Sequence, residues 1–310
     1  MKVAVVYDGG ADRAISADTA GVLEAVEGAI ESLGRLGHAA FPLAARAPLD
    51  RFLNGLSGVD LVFNLVEGLE GRAEDEPRIA GLMELVGAPI TGASSDVLAL
   101  CRRKDLVNAL LDARGLATPP WTLVRPGEGV EWSRFPAIVK PAGEDGSVGI
   151  SEASVVDDEF ELRAALDHCP GDALVQVFLP GRELNVGIVG DTVLPVAEIE
   201  FSGPQRIVSY AAKWEAGSDA DRSTRPVCPA RIPVMMNRRA IELARAAWTA
   251  VGGAGYGRID LRGDAEGRLH VIEVNPNADL APSAGLARMA AAGGWNFTTL
   301  VSRIVQEALR

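Results

Sequence analysis

The sequence predicts an α/β protein, and two observations predict it. Up to Thr91-Gly92, short apolar runs alternate with segments of helical period, the pattern of strands joined by crossover helices under a parallel sheet covered on both faces. Farther on, strands follow one another through glycine-rich turns, and the chain closes with a hairpin and a helix. Residues 3–7 (Val-Ala-Val-Val-Tyr) read as a buried strand ending at Asp8-Gly9-Gly10. From Ser16 to Leu36 the set Val22, Val26, Ile30, Leu33 and Leu36 keeps helical spacing, and Gly37 suits the left-handed residue that ends a helix. A strand near 38–43, a helix near 48–56, a strand over 59–66 and a helix over 78–86 complete the first unit.

One helix is expected from about Asp96 to Arg114, stopped by Gly115 and the Pro119-Pro120 pair. Strands follow at 136–140 and 148–153, then a helix at 157–168, a strand at 173–178 and extended chain through 184–200. Residues 202–231 are rich in Ser, Asp, Arg, Pro and Gly and lack periodicity; a loop that long in a compact protein is usually functional or disordered. A helix over 234–251, a hairpin over 257–274 and a helix from about 296 to 309 end the chain.

Composition narrows the function. With 48% hydrophobic and 23% charged residues the chain is neither disordered nor collagen-like. A net charge of −12 argues against nucleic acid or an anionic membrane as partner. No apolar stretch approaches the roughly 20 residues of a membrane span. The first residues run straight into a strand, so no signal peptide is expected. Cys101, Cys169 and Cys228 are scattered, with neither a disulfide framework nor zinc spacing, which points to a reducing cytosol. Of 30 basic residues only Lys2, Lys104, Lys140 and Lys213 are lysine. Where nearly every cation is Arg, a retained internal Lys marks a place that needs a compact ammonium.

Three stretches carry chemistry. Lys140-Pro-Ala-Gly-Glu-Asp-Gly-Ser-Val-Gly149 follows an apolar strand, and its glycines suit a backbone that cradles phosphate oxygens beside Lys140; taken alone, a plain glycine-rich hairpin explains it equally well. Arg258-Ile-Asp260-Leu-Arg runs through Gly263-Asp-Ala-Glu-Gly267 into Glu273-Val-Asn275. With Ala265-Glu266 as a two-residue turn, Asp260 lies opposite Val271, Glu273 is its diagonal neighbour, and the Asn275 amide shares their face, about 7–8 Å or less apart. Acidic hairpins are usually solvated, but this one is dense in Ile and Val. An oxygen-only set favours Mg²⁺ or Mn²⁺ over zinc. Gly181-Arg182-Glu183 leaves the strand 174–179 where a carboxylate meets ribose hydroxyls, although such a tripeptide is also a common turn. No Gly-x-Ser-x-Gly accompanies His38, His168 or His270, so a hydrolase triad has no support. Trp121, Trp132, Trp248 and Trp295 read as packing residues.

Taken in order, Thr91-Gly-Ala-Ser with Lys104, Lys140 through Gly149, Gly181-Arg-Glu183, Tyr210-Ala-Ala-Lys213 and Gly257-Arg258-Ile-Asp260 through Glu273-Val-Asn275 resemble the ATP-grasp superfamily, in its D-alanine–D-alanine ligase branch. The resemblance covers essentially the whole chain. It implies three domains: an N-terminal parallel α/β domain over 1–92 and two α+β domains over 93–176 and 177–310 that enclose the nucleotide. It implies Lys104 and Lys140 on ATP phosphates, Ser147 and Gly146 in the loop closing over them, Phe178 and Leu179 at the adenine hinge, and Glu183 on the ribose. Asp260, Glu273 and Asn275 would hold Mg²⁺ (or Mn²⁺), Arg258 would stabilise the transferred phosphate, and Lys213, a third lysine gripping ATP, would sit in a lid over the reacting centre.

The implied reaction joins a carboxylate to an amine through an acyl phosphate, with D-alanine–D-alanine ligation leading. A different amino acid, a hydroxy acid or a biosynthetic intermediate is the alternative, and a non-catalytic nucleotide-binding protein the rival class. Small-molecule substrates, a cytoplasmic homodimer and no nucleic-acid or membrane partner complete the expectation. Several positions differ from the family pattern. Asp12 stands near the place of a substrate-binding Glu, and Glu67 replaces a His. Gly146 and Trp214 replace a paired Ser and Tyr, and Gln176-Val177 replaces a hinge Glu-Lys. The segment Asn275–Ser283 replaces the acceptor segment, with Ser283 as a substrate contact.

Overall fold

Three sheets organise the chain, seen here in a computed structural model that describes residues 1–12, 17–203 and 207–310, without the side chains of 11–12 and 17–20. The first is parallel: β1 (Lys2–Asp8) lies between β2 (Ala39–Ala45) and β3 (Leu61–Leu65), with α1 (Ala17–Arg35), α2 (Asp50–Gly55) and α3 (Glu76–Val86) along the chain around it. Its central strand is apolar on both sides because both sides are covered. Val3 and Val5 pack under Val26, Ala29 and Leu33 of α1, whereas Ala4 and Val6 join the core that holds Phe52, Ile79 and Met83.

The helix expected over 96–114 is two helices, α4 (Ser95–Cys101) and α5 (Lys104–Ala113). Tertiary contacts account for the break: the Lys104 N–H bonds the Ala142 carbonyl at 3.2 Å, and Arg102 donates to the Gly143 carbonyl at 2.7 Å. The interruption turns Lys104 toward the glycine-rich loop.

The second sheet, in order β4-β7-β5-β6, comprises β4 (Trp121–Val124), β5 (Ala137–Pro141), β6 (Val155–Val156) and β7 (Ala173–Val177), backed by α6 (Glu159–His168). The strand expected at 148–153 is absent. Gly146, Ser147 and Gly149 have φ of 65°, 64° and 73°, and the chain coils through Val148 N–H to Asp145 and Ile150 N–H to Ser147 before it can pair.

The third sheet holds β8 (Glu183–Val189), β9 (Thr192–Val193), β10 (Ala197–Phe201), β11 (Thr224–Val227), β12 (Tyr256–Gly263) and β13 (Leu269–Asn275). The single extended run expected over 184–200 folds back at Gly190 (φ 53°) into separate strands. Within the predicted loop 202–231 lie β11 and two short helices, α7 (Tyr210–Trp214) and α8 (Asp219–Ser223). α9 (Val234–Ala250) covers the back of β12 and β13, with Ala240, Ala244, Ala247 and Trp248 packed among Ile259, Leu261, Val271 and Val274. α10 (Gly285–Ala292), which the sequence reading omits, and α11 (Phe297–Ala308) pack into the core shared with α1. No helix among the described residues is long and apolar enough to cross a membrane.

Gly257 shows how tightly α9 seats. A methyl group there would stand 2.6 Å from the Trp248 ring and 2.8 Å from the Asn275 carbonyl. Gly257→Ala is therefore expected to lower stability by about 1–3 kcal/mol, read as a lower urea midpoint with an unchanged m-value.

Candidate active site

The β12–β13 hairpin differs from the sequence expectation in two ways that offset each other. Its turn is Ala265-Glu266-Gly267, closed by Asp264 N–H to Arg268 and Gly267 N–H to Asp264, with Gly267 at φ 78°. A bulge then puts Ile272 as the extra residue, so Asp260 pairs with Glu273 directly rather than with Val271. Each irregularity slips the register by one residue. Together they slip it by two, which preserves the face. Arg258, Asp260 and Arg262 of β12, with Glu273 and Asn275 of β13, therefore look into one cavity while Ile259, Leu261 and Val274 pack under α9.

That cavity, of about 920 Å³, lies between this face and the second sheet, whose alternate residues Ile138 and Lys140 form its other wall. It also receives Lys104, Gly146, Ser147, Glu183, Lys213 and Ser283. Phe178 and Leu179 are not in its lining. Their contacts go to Arg262, whose guanidinium lies 4.8 Å from the Phe178 ring centre and whose Nε donates to the Leu179 carbonyl at 2.7 Å. Of Asp12 only the backbone is described, as the end of a short 3₁₀ turn over Gly9–Asp12, so the role expected of its side chain lies outside the described residues.

Charge is closely matched on the cavity floor. Arg258 grips Asp260 with two bonds of 2.7 and 2.8 Å, and Asp260 also accepts from Asn185 at 2.8 Å and from Asn275 at 3.1 Å. The Asn275 nitrogen is thus committed, which leaves its amide oxygen as the available donor atom. Lys104 Nζ lies 2.6 Å from Asp145 and 3.2 Å from Glu273. Burial works against the charge on Lys104, but Glu273 and Asp145 hold its pKa above the usual lysine value. Burial likewise penalises the Glu273 carboxylate, yet Lys104, Lys140 and Arg258 keep its pKa below the ordinary range. Glu183 is buried against Arg262 at 2.8 Å, and desolvation raises its pKa despite that partner. The Lys140 side chain has no hydrogen bond or ion pair among the described residues, and desolvation lowers its pKa.

The glycine-rich loop is tied to the α7 segment. Ser147 Oγ donates to the Val208 carbonyl at 2.8 Å, and Trp214 Nε1 donates to the Gly146 carbonyl at 2.9 Å. Gly146 and Trp214, which differ from the family's Ser and Tyr, thus form a contact of their own. Lys213 Nζ sits 4.8 Å over the Trp214 ring.

Asn185 and Glu76 escape a sequence reading, whereas Gln176 and Glu67 stand in it only as departures from the family pattern. Asn185 is two residues beyond Glu183 on the same strand face, a signal of simple alternation once β8 is known to pair with β12. Gln176 sits opposite Ile138 on β5, facing the same way, and is 1% exposed with neither side-chain atom hydrogen-bonded among the described residues. Glu76 is buried where the first sheet meets the hairpin: Asn277 donates to Glu76 and to the Val66 carbonyl, both at 2.8 Å, and accepts from the Tyr256 hydroxyl at 2.9 Å. Glu67 lines a small cleft beside this network, with Asp279.

A glycine-rich loop and an oxygen-donor hairpin, facing one another from two antiparallel sheets with lysines between them, define an ATP-grasp enzyme, an ATP-dependent carbon–nitrogen ligase. The sequence profile of the D-ala D-ala ligase C-terminus matches residues 110–306. The chain is 33% identical to a D-alanine–D-alanine ligase of Halorhodospira halophila, over 100% of this chain and 96% of that one, and 32% identical to that of Gluconobacter oxydans, over 100% and 99%. In fold it matches the crystal structure of D-alanine–D-alanine ligase from Bacillus anthracis complexed with ATP, with a TM-score of 0.80 at 20% identity, covering 100% of this chain and 98% of that chain. The chain belongs to the D-alanine–D-alanine ligase family.

Burial pushes the Glu76 carboxyl up to about 8, against the Asn277 hydrogen bond; Asp145 and Glu67 push the same way, and Arg102 opposes them. The folded state then holds a proton that the unfolded chain releases near the ordinary carboxyl value of 4.5. Stability from this site is full below that value and is lost as pH rises to about 8, at up to about 1.4 kcal/mol per pH unit. Glu76→Gln is expected to flatten that decline and to be the more stable form at pH 8, checked by urea midpoints across the window.

Proposed function

We propose that the protein joins two amino acids in the cytoplasm through an acyl phosphate, with D-alanine as donor and acceptor, and that it does so as a homodimer. The observation that carries the reading is the convergence of Lys104, Lys140 and Arg258 on the same cavity as Asp260, Glu273 and Asn275. The names of the most similar relatives support the choice of substrate.

The donor set suits Mg²⁺ or Mn²⁺. Two carboxylates and an amide oxygen face one another, and among the described residues no three His, Cys, Asp or Glu side chains form a closed cage. Mg²⁺ usually takes one or two carboxylates and completes its shell with water and substrate phosphates. Asp260, Glu273 and Asn275 would hold the metal, which would supply positive charge to offset the negative charge of the phosphate oxygens.

The residues of the chain do the rest. Lys140, whose side chain has no partner among the described residues, is free to meet a phosphate oxygen, and Lys104 is held ready by Asp145 and Glu273. Their charges reduce the repulsion between a substrate carboxylate and the triphosphate. A carboxylate oxygen takes the γ-phosphoryl group, and ADP leaves as the β–γ bridge breaks. The neutral amine then attacks the acyl carbon, the carbon–nitrogen bond forms as the acyl carbon–oxygen bond breaks, and phosphate departs with the proton that the amine gives up. Arg258 faces the oxygens on which charge develops. Ser147 and Trp214, which latch the loop to the α7 segment, keep water from the acyl phosphate.

The test is ADP and phosphate release with Mg²⁺ across D- and L-alanine, D-serine and D-lactate. Stimulation by D-alanine with formation of the dipeptide is expected; no stimulation removes this substrate, and a better response to another acid or amine transfers the chemistry to it. Glu273→Gln is expected to lower turnover by roughly 100-fold or more while unfolding stays cooperative, and full activity in that variant would contradict the metal assignment.

Gln176 offers an amide donor and acceptor to the edge of an adenine, a pairing that this side chain makes well. Gln176→Leu removes an unsatisfied buried amide, so the ligand-free protein is expected to gain about 1 kcal/mol. The same change is expected to weaken ATP binding roughly tenfold, measured by calorimetry on the two proteins.

A further inference from the structure

Six Lys and Arg side chains line the cavity among the described residues, and five of them have a partner or an evident task. Lys104 is held by Asp145 and Glu273, Arg258 by Asp260, and Arg262 by Glu183. Lys140 is the penultimate residue of β5, where the chain enters the glycine-rich loop, and Lys213 lies beside Gly146 of that loop. The sixth is Arg288, on α10. It is exposed, its guanidinium donates to the Ser283 carbonyl, and no carboxylate is within ion-pair reach of it among the described residues.

Ser283 is the residue expected to hold a substrate carboxylate, but its donors are already engaged. Its N–H and its hydroxyl both donate to Glu24 of α1, at 3.1 and 2.7 Å. A carboxylate arriving at that hydroxyl would meet the charge of Glu24. Arg288 is the cation left on this wall, and the neighbouring lining is small, Ala281, Ala284 and Gly285, so space in front of the guanidinium stays open.

A ligase of this type handles two carboxylates. One is consumed as the acyl phosphate beside Arg258 and the lysines. The other belongs to the amine-bearing substrate, keeps its charge throughout, and needs its own counter-ion away from the phosphates. We propose that Arg288 anchors the carboxylate of the amine-bearing substrate, which makes it a specificity-determining residue; this rests on the amino-acid ligase reading given above. A planar fork suits a carboxylate better than a point charge does, and a carboxylate that stays ionised distinguishes an amino acid from a simple amine.

The probes are D-alanyl-D-alanine and its C-terminal carboxamide, titrated calorimetrically into the ADP-loaded wild-type protein, Arg288→Met and Arg288→Lys. The wild type is expected to bind the acid at least tenfold more tightly than the amide, as a charge-assisted contact warrants. Arg288→Met should bring the two affinities together, with Arg288→Lys between them. Equal affinities in the wild type, an undiminished preference in Arg288→Met, or no measurable binding of the acid at millimolar concentration would each overturn the proposal. Amino-acid-stimulated ADP release is scored separately. Turnover without an Arg288-dependent preference defeats the anchor alone, whereas a preference without turnover defeats the ligase reading alone.

Discussion

Burying Glu273 in the same crevice as Asp260 and Glu183 is tolerable only because a cation stands beside each, and the rest of the site follows from that requirement. A carboxylate taken out of water carries a penalty of several kcal/mol unless it is paired and hydrogen-bonded. Lys104 serves Glu273, Arg258 serves Asp260, and Arg262 serves Glu183. The break between α4 and α5 is the backbone's answer, since an unbroken helix would not put Lys104 against Ala142 and the loop beyond it. A triphosphate entering this crevice meets charges already fixed in place, which is the condition under which electrostatic stabilisation costs little rearrangement at the moment of reaction.

The same sheet shows what strand alternation can and cannot reveal. That Asp260, Glu273 and Asn275 share a face was legible, because parity is all that a face requires. Their true pairing was not, because the Gly267 turn and the Ile272 bulge each shift the ladder by one residue without a decisive sequence mark. Parallel strands and long amphipathic helices were legible for the usual reason: β1 and α1 bury continuous apolar faces. The failures cluster where tertiary contacts overrule local preference. Residues 148–153 carry strand-forming side chains, yet positive φ at Gly146, Ser147 and Gly149 coils the chain first. Gln176 is a polar residue within an apolar strand and Glu76 ends the charged run Glu74-Asp75-Glu76, and nothing in their neighbours along the chain says that both are buried.

Glu76 also connects the parts of the molecule. Through Asn277 it bonds the start of α3 to the segment leaving β13, and through the Val66 carbonyl it reaches the end of the first sheet. The β12–β13 hairpin and the first sheet are thereby held by one polar network rather than by apolar packing alone. A network of this kind specifies one geometry, because each member left unpaired would be penalised.

The scarcity of lysine has a practical side. Lys2 is on the surface, and the remaining three lysines, Lys104, Lys140 and Lys213, all open into one crevice. An acylating or carbamylating reagent, which in most proteins scatters over many amines, therefore finds here, besides the N-terminal amine, a handful of sites concentrated around the catalytic floor. Of the two lysines on that floor, Lys140, whose pKa desolvation lowers, presents more neutral nucleophilic amine than Lys104, whose pKa Glu273 and Asp145 raise. Covalent labelling of this protein thus becomes a map of its crevice, and shielding by nucleotide a direct record of which amines the phosphates cover.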